Sequence, residues 1–409
     1  MRAILKVLIG LVILSVAGFM AWYYQPWSRY SPAKVAALQD PQNYRVIFQN
    51  FDDYLPARTV SASATPRALE TDIKPMFDSF TFKGDTISVS DFHAMGESSA
   101  IVVLKDGVVV HEDYFNGADA ATRNTSWSVA KSVVATAIFM ALEEGRIKSL
   151  DDKAEVYAPQ YKGTDFGNSS LRSLLAMSTG MLFDEDYNKP KSDIRNFFFD
   201  AFIARKDVDS LLFPYGRNRE EFADFQYISP NSQVLSAVLR GIYGKPLASI
   251  VTEKVWQPLG MADDAVWAMH RPGEKGVAMG YCCLNATAKD YARFGQFWME
   301  TVKGEGLGTI VLPDEAATFV TVPPTDDHKP DTGKYGGRGY THHFWLPPSG
   351  DNQSPEQEFF AAGVYGQYIW IDAARGIVIA RNAADPAWGK KGRLTFALFR
   401  EIAKHYGEQ

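Results

Sequence analysis

The chain has 409 residues, of which 46% are hydrophobic and 22% are charged, and its formal net charge at pH 7 is −6. This composition excludes a disordered chain, and the negative charge argues against nucleic-acid binding. The length exceeds what one small hydrophobic core accommodates, so we expect one large domain or two closely packed ones.

The N-terminus carries an uncharged stretch from Val7 to Tyr24, preceded by Arg2 and Lys6. At ~1.5 Å per residue such a helix covers ~27 Å, which is enough to cross a bilayer. The two cations predict a cytoplasmic N-terminus, and "WYYQPW" has the composition of an aromatic belt at the opposite interface. We predict that residues 1–27 form a transmembrane anchor. A cleaved signal peptide and a helix packed in a soluble core are the alternatives.

Residues 28–90 contain scattered prolines and no strong periodicity, which predicts a linker and N-terminal extension with some ordered pieces. The following "SSAIVVLKDGVVVHEDYF" has two β-branched runs around a Lys-Asp-Gly turn and predicts a hairpin. Helical apolar spacing follows over residues 125–145, and again over 288–304 up to Gly304. A second hairpin is predicted for "YGQYIWIDAARGIVIARNA", and a closing helix for "GRLTFALFREIAKHYG".

The adjacent Cys282 and Cys283 are the only cysteines of the chain. Neighbouring residues close a disulfide only in a strained ring, so we expect two free, buried thiols. Two thiols alone make no zinc site, and no histidine spacing favours a metal. We therefore predict neither a metal nor another cofactor.

The order of these elements predicts an α/β (α+β) domain over residues 91–409. Its two hairpins, within 99–116 and 359–384, would share one antiparallel sheet that is covered by the first and last helices. The residues from about 145 to 350 would form a mostly α-helical lobe inserted into this sheet domain.

The helix predicted over residues 125–145 carries Ser128 and Lys131 in its first turn. Residues three apart share one helix face, so the hydroxyl and the amine are within reach of each other. Free N–H groups at a helix start stabilise a developing negative charge. A serine needs a base to become a nucleophile, and a desolvated lysine with a lowered pKa can act as that base.

A purely structural interpretation of this pair is an N-terminal cap and a lysine that extends to solvent. Against it, "SVVATAIFMAL" is apolar on nearly every face, so the helix is predicted to be buried and its cation needs a partner. Tyr227, in "FADFQYISPNSQVL", could be that neighbour. Its phenol pKa would be lowered by the ammonium, and it would serve as general base or acid.

Three motifs in this order resemble the penicillin-recognising serine hydrolases: Ser128-Val129-Ala130-Lys131, then Tyr227-Ile228-Ser229, then "AAGVYGQYIWID". The superfamily includes class C β-lactamases, D-alanyl-D-alanine peptidases, family VIII esterases and 6-aminohexanoate-dimer hydrolases. The resemblance covers roughly residues 95 to 405, with support from "GRIKSLDD", "LRSLLAMSTGM", "WQPLGM" and "LNATAKDYARFGQ". Ser-x-x-Lys by itself is a weak signal for this superfamily, whereas the three motifs in this order are a specific one.

The resemblance implies a β-lactamase/transpeptidase-like fold and a role for each matching residue. Ser128 would be the acylated nucleophile, Lys131 the proton acceptor and relay, and Tyr227 the group that exchanges protons with the leaving group. The oxyanion hole would consist of the backbone N–H groups of Ser128 and Val364, and Gly363 would contact substrate.

Two departures separate this chain from the penicillin-binding members. Ser229 occupies the place of their asparagine, and it would line the cleft. Ala361-Ala362-Gly363 replaces Lys-Thr-Gly or His-x-Gly, so the cation that binds a substrate carboxylate is missing there. A dedicated β-lactamase or D-alanyl peptidase is therefore disfavoured. The third motif is closest to the 6-aminohexanoate-dimer hydrolase and family VIII esterase-like branch, whose members act on amides and carboxylic esters.

The function predicted from these motifs is a serine hydrolase that acts through an acyl-enzyme on a small-molecule carboxylic ester or amide. It would face the periplasm from the bacterial inner membrane, or be secreted there if the signal is cleaved. The alternative from another class is a non-catalytic, membrane-tethered envelope protein that binds peptidoglycan fragments or a protein partner.

A few further polar or aromatic residues lie near these motifs. Trp127 precedes the serine and forms either a wall of the cleft that contacts substrate or part of the core. The Asp184-Glu185-Asp186 run could bind a substrate ammonium, but we expect a solvated loop. His111 is interpreted as structural, and the position of the His342-His343 pair relative to the cleft is left open.

Overall fold

The architecture was obtained as a computed structural model, which describes residues 2–305, 310, 312–353 and 358–408. The strands are β1 Ala57–Val60, β2 Ser79–Phe82, β3 Asp85–Ser88, β4 Ser98–Lys105, β5 Val108–Tyr114, β6 Asn124–Thr125, β7 Ala265–Ala268, β8 Leu284–Ala286, β9 Gly339–Tyr340, β10 Trp345–Leu346, β11 Glu358–Gly363, β12 Gln367–Asp372 and β13 Ile377–Ala383. The α-helices are α1 Arg2–Tyr24, α2 Pro32–Ala36, α3 Tyr44–Gln49, α4 Val89–Met95, α5 Ala130–Glu143, α6 Leu171–Leu175, α7 Asp193–Phe198, α8 Pro230–Tyr243, α9 Leu247–Val251, α10 Ala288–Lys303, α11 Ala316–Thr321 and α12 Trp388–Gly407.

A seven-stranded antiparallel sheet, in the order β5-β4-β13-β12-β11-β10-β9, forms the centre of the fold. The two predicted hairpins are present, and they join through the pairing of β4 with β13. Asp106 and Gly107 connect β4 to β5 with φ values of 46° and 85°. A two-residue turn of positive φ matches the twist of the flanking strands, which explains why Asp-Gly marked the hairpin. The predicted fold class is confirmed.

Alternation along the central strands sends side chains into two apolar layers. Ile101 and Val103 of β4 face the layer that contains Phe396 and Phe399 of α12. The opposite face is packed directly by α10, at Gly295. A Cβ there would lie 2.5 Å from a methyl of Val378 and 2.7 Å from one of Ile369. The last helix covers the sheet as predicted, but α10 takes the place expected for the helix after the first hairpin.

Within the range of about 145 to 350 predicted for the helical lobe, α6 to α9 and the loops around them pack against α5, whereas α10 packs on the central sheet and β9 and β10 belong to it. Helix α8 begins at Pro230, directly after the Tyr-Ile-Ser motif, and proline is well suited to a first helical position. Two short strands in this region, β7 and β8, were not predicted. They belong to a second sheet of order β1-β7-β8-β6. Strand β6 leads straight into the turn that carries Ser128.

The segment over residues 28–90 is more ordered than a linker. Strand β1 pairs with β7, and the side chains of α2 and α3 enter the main core. Nine hydrophobic residues of this segment are almost completely buried, namely Val35, Leu38, Tyr44, Ile47, Phe48, Phe51, Leu55, Val60 and Phe80. Each element is shorter than two helical turns, so the segment carried no readable period.

Helix α1 is long and apolar enough to cross a membrane, with a mean hydropathy of 2.5 and no part of that window buried. An uncleaved anchor and a signal sequence both fit this description. The helix lies apart from the core, which disfavours the third alternative, a first helix packed inside a soluble domain.

Cys282 and Cys283 form a disulfide, so the expectation of two free thiols is wrong. The strain of the ring that two neighbouring residues must close was the reason to expect separate thiols. Cys283 has a φ of 73°, in the left-handed region, and the chain turns there enough to bring both sulfurs together.

The close approach of α10 to the sheet predicts opposite effects for two helical glycines. Gly295→Ala should lower the free energy of unfolding by about 1–3 kcal/mol, because the added methyl overlaps Val378 and Ile369. Gly392→Ala in α12, where a Cβ meets nothing within 4 Å, should raise it by up to about 1 kcal/mol through helix propensity. Denaturant unfolding of both variants measures this, and a stabilised Gly295→Ala would contradict the packing described.

Candidate active site

A single 3-10 turn, Trp127–Val129, presents Ser128 at the start of α5. The chain enters it from β6, and the Ser126 amide donates a hydrogen bond to the Leu284 carbonyl at 2.7 Å. Trp127 then adopts a φ of 44°, an unusual value for a side chain of this size. This bend directs the chain from the small sheet into α5, with Ser128 at the point where helical N–H groups are still free.

Lys131 is buried, with 1% of its surface exposed, in the first turn of α5. Its Nζ donates to Ser128 Oγ at 3.0 Å and to the Tyr281 carbonyl at 2.7 Å. The same Nζ lies 5.1 Å from the ring centroid of Tyr227 and 5.6 Å from that of Tyr281. The predicted neighbours of this amine are therefore in place, with the Tyr281 carbonyl as an additional one.

The Tyr227 side chain lines the same cavity wall as Ser128, and its ring centroid lies 5.1 Å from Lys131 Nζ, so the three residues of the first two motifs share one cluster. The backbone N–H of Tyr227 donates to the hydroxyl of Tyr335 at 2.9 Å. Its ring stacks on Trp345, with centroids 5.2 Å apart, and this stacking positions the phenol just before the N-terminus of α8.

Burial determines the protonation of this cluster. It lowers the pKa of Lys131 to about 7, against the opposing effect of the Glu185 carboxylate. It raises the pKa of the Tyr227 phenol, and the neighbouring Ser128 hydroxyl only partly offsets this. The lowered phenol pKa expected from a neighbouring ammonium is therefore wrong, because loss of solvent outweighs it. At neutral pH the amine, and not a phenolate, is the available base.

Glu185 enters the site from the loop that we expected to be solvated. It accepts hydrogen bonds from the Ser229 hydroxyl at 2.5 Å and the Ser229 amide at 2.9 Å. The hydroxyl of Tyr187 donates to it at 2.7 Å. Burial raises the pKa of this carboxyl, and the charge of Lys131 opposes the rise. Ser229 is itself completely buried and holds Glu185, so the prediction that it lines the cleft is corrected.

Gly363 closes the site at the end of β11, directly beside the serine turn. A Cβ on Gly363 would lie 2.3 Å from the Ser126 carbonyl and 3.1 Å from the Ser128 amide nitrogen. In the part of the chain that the structure describes, neither the Ser128 amide nor the Val364 amide donates a hydrogen bond. Two free N–H groups on facing segments are what an oxyanion hole requires.

Two cavities meet at Ser128 and Val364. The larger, about 560 Å³, is lined by Tyr227, Gly363 and Glu185 among others. The smaller, about 100 Å³, has aromatic residues in its wall, among them Trp127 and Tyr281. Trp127 is thus a wall of the second cavity. Tyr44 and Leu38 of the N-terminal extension line it as well, a contribution for which the sequence carried no signal.

The histidines are held in structural positions. The ring of His343 bonds to the Ser232 hydroxyl and to the Leu175 carbonyl, each at 2.8 Å. His342 bonds to the Phe319 carbonyl at 3.0 Å. Burial lowers the pKa of His343 to about 3 and that of His342 to about 4. Neither lines the cavities at Ser128, so neither is placed to act as a base there.

Comparison with known proteins identifies the class to which this fold and site belong. The beta-lactamase family model matches residues 92–403, and the chain belongs to that family. It is a hydrolase of the beta-lactamase family.

Among its relatives is the 6-aminohexanoate-dimer hydrolase of Paenarthrobacter ureafaciens, 25% identical over 297 residues that make up 71% of this chain and 73% of the relative. A solved structure from Bacillus anthracis, provisionally designated a 6-aminohexanoate-dimer hydrolase, has a TM-score of 0.76 and 23% identity, over 93% of this chain and 97% of its own. EstCE1, a hydrolase with promiscuous acyltransferase activity, has a TM-score of 0.58 and 17% identity, over 77% and 95%. These structural likenesses show the fold alone.

The lowered pKa of Lys131 predicts a pH dependence for the reactivity of Ser128. Only the neutral amine can accept the serine proton, so labelling by a fluorophosphonate should rise with pH, with a midpoint near 7. At pH 6 the rate should be roughly one tenth of its plateau. Stopped labelling reactions between pH 5.5 and 9 measure this profile. Lys131→Arg, which stays charged, is the control, and a flat wild-type profile would contradict the assignment.

Proposed function

We propose that this protein is a serine hydrolase that cleaves carboxylic esters or amides through an acyl-enzyme on Ser128. The observation that carries the proposal is the contact between Ser128 Oγ and a buried Lys131 amine at 3.0 Å. A hydroxyl beside a base of pKa about 7 is an activated nucleophile at neutral pH.

In the proposed acylation, neutral Lys131 accepts the Ser128 proton as Oγ attacks the substrate carbonyl carbon. The amine keeps one N–H bond to the Tyr281 carbonyl, which orients its lone pair toward Oγ. Negative charge develops on the substrate oxygen, where the Ser128 and Val364 amides stabilise it. Removal of one such donor typically costs about 100- to 1000-fold in rate, so both amides matter.

Tyr227 then transfers its proton to the leaving group and recovers one from the Lys131 ammonium. A phenol with a raised pKa remains protonated until the leaving group takes the proton, which suits this relay. Water attacks the acyl-enzyme in the second half of the reaction, and the same groups move protons in reverse. Ser128 and the neutral amine are restored.

The relatives support the class of substrate, because the curated one hydrolyses 6-aminohexanoate dimers and EstCE1 is named a hydrolase. The third motif, Ala361-Ala362-Gly363, has no cation, which disfavours a β-lactamase or D-alanyl peptidase. A non-catalytic envelope protein would have no need for a nucleophile, a neutral base and two free amides at one point.

Replacement of the nucleophile tests the proposed function. Ser128→Ala should reduce hydrolysis of p-nitrophenyl acetate by at least about 1000-fold, because no acyl-enzyme can form. Ser126→Ala is the matched control two residues away, since its hydroxyl donates to the Trp127 carbonyl in its own turn. Equal rates for wild type and Ser128→Ala would exclude the mechanism, and would favour the binding alternative.

We also propose that α1 remains in the mature protein and anchors it in the bacterial inner membrane, with the hydrolase domain in the periplasm. The uncharged stretch from Val7 to Tyr24 and the cations Arg2 and Lys6 before it support this. Membrane fractionation should recover the protein with the membranes, and intact-mass measurement should find residues 1–27 present. A mature N-terminus beyond residue ~20 would instead indicate signal cleavage.

A further inference from the structure

Arg338 is a cation in the wall of the larger cavity, one residue before β9. Its guanidinium carbon lies 4.6 Å from the ring centroid of Trp345 and 5.9 Å from that of Trp388. Its Nε donates to the Tyr335 carbonyl at 2.7 Å. Within the described residues its two terminal amino groups have no hydrogen-bond partner, and no carboxylate contributes to its electrostatic surroundings.

This arrangement presents a partly buried cation in the cavity wall that an anionic group of a ligand can bind. The two indole rings hold the guanidinium without neutralising it. The free edge of a guanidinium is a planar fork of donors that matches both oxygens of a carboxylate. The third motif provides no cation at Ala361-Ala362-Gly363, whereas Arg338 is a cation of the same cavity that comes from a different segment.

The position of Arg338 indicates which part of the substrate it meets. Tyr227, which protonates the leaving group in the proposed function, lines the larger cavity and is absent from the lining of the smaller one. Arg338 lies in that same larger cavity, and its charge opposes the rise of the Tyr227 pKa. Acidic residues occupy another part of the wall: Asp184 binds Lys189, and Glu185 binds Ser229. They would repel a carboxylate from that part of the wall.

We propose that Arg338 binds a carboxylate on the leaving group of the substrate, so that the preferred substrates are esters or amides whose alcohol or amine half is anionic. This inference rests on the proposed hydrolase function. It assigns to Arg338 the selectivity for one class of ester or amide over its uncharged analogue.

Two matched esters test it: 3-acetoxybenzoate, whose leaving group is anionic, and its methyl ester, whose leaving group is neutral. The measured quantity is the ratio of their kcat/KM values for the full-length protein in detergent. Arg338→Gln should reduce this ratio by about 10- to 100-fold, the usual effect of losing a charged hydrogen-bond pair. Arg338→Lys should reduce it less. Arg393→Gln, a half-exposed cation of the adjacent pocket, should leave the ratio as it is.

The outcomes distinguish a wrong assignment of Arg338 from a wrong hydrolase function. An unchanged ratio in Arg338→Gln, with both esters hydrolysed, overturns the role of Arg338 and leaves the hydrolase function intact. An equal fall in Arg393→Gln also overturns it, because the effect would then be a general one of charge. Failure of the wild type to hydrolyse either ester contradicts the proposed function and the inference together.

A second inference concerns the disulfide of Cys282 and Cys283, which adjoins the catalytic cluster. The residue before it, Tyr281, offers its carbonyl to Lys131 at 2.7 Å. The Cys283 amide donates to the Trp127 carbonyl at 3.2 Å. Cys282 also lines the smaller cavity next to Ser128. The two-residue ring thus lies between the backbone that holds the base and the backbone that holds the nucleophile.

We infer that this disulfide positions the Tyr281 carbonyl for Lys131, and that its reduction lowers activity. The reaction is thiol–disulfide exchange with an external dithiol: two electrons and two protons convert the S–S bond into two thiols, and the reductant becomes its own disulfide. Once the ring is open, the backbone at Cys283 can relax from its positive φ. This change would move the Tyr281 carbonyl away from the Lys131 amine.

The test compares three proteins: oxidised wild type, wild type after dithiothreitol, and Cys282→Ser/Cys283→Ser. Mass spectrometry verifies reduction through the gain of two hydrogen atoms. Labelling of Ser128 should slow at least about tenfold in the reduced and doubly substituted proteins. Its pH midpoint should move down by roughly one unit, because the ammonium loses an acceptor. A double variant with the wild-type rate and midpoint overturns the inference, whether or not the reductant reaches the sulfurs.

Discussion

A lysine amine enclosed by protein is the constraint on which the rest of this structure depends. Burial of an ammonium to 1% exposure is energetically costly, and two features of the site reduce that cost. Its pKa falls to about 7, and the Tyr281 carbonyl and the Ser128 hydroxyl surround the nitrogen. The apolar length of α5 buries the amine, and Tyr227, stacked on Trp345, and Glu185 lie around it.

The hairpins, the antiparallel sheet and the helices α5, α10 and α12 were predictable because each repeats a pattern over many residues. Period-two alternation and the Asp-Gly turn indicated the strands of the first hairpin. The helical spacing of α10 ended at Gly304, where the structure has a left-handed φ of 71°. Ser128, Lys131 and Tyr227 were found for another reason. They stand in motifs whose order along the chain reproduces that of a known superfamily, and the structure brings them into contact.

The remaining parts depend on loops, where no period exists. Glu185 and Arg338 reach the site from irregular segments, and nothing in the sequence distinguished them from solvated charges. The short strand β7 pairs with β1, about two hundred residues away, and β8 pairs with β6, about 160 residues away, and such distant partners leave no local signal. The disulfide was missed because the left-handed turn at Cys283 cannot be inferred from the two cysteines themselves.

The wall that Tyr44 and Leu38 add to the smaller cavity has a consequence for how such enzymes diversify. These residues precede the segment matched by the beta-lactamase family model, which begins at residue 92. Tyr44 touches Tyr365 through their hydroxyl groups, 3.2 Å apart, just after the third motif. A lineage could therefore reshape one half of its binding site by altering an appendage, with the reaction machinery of the hydrolase core left untouched.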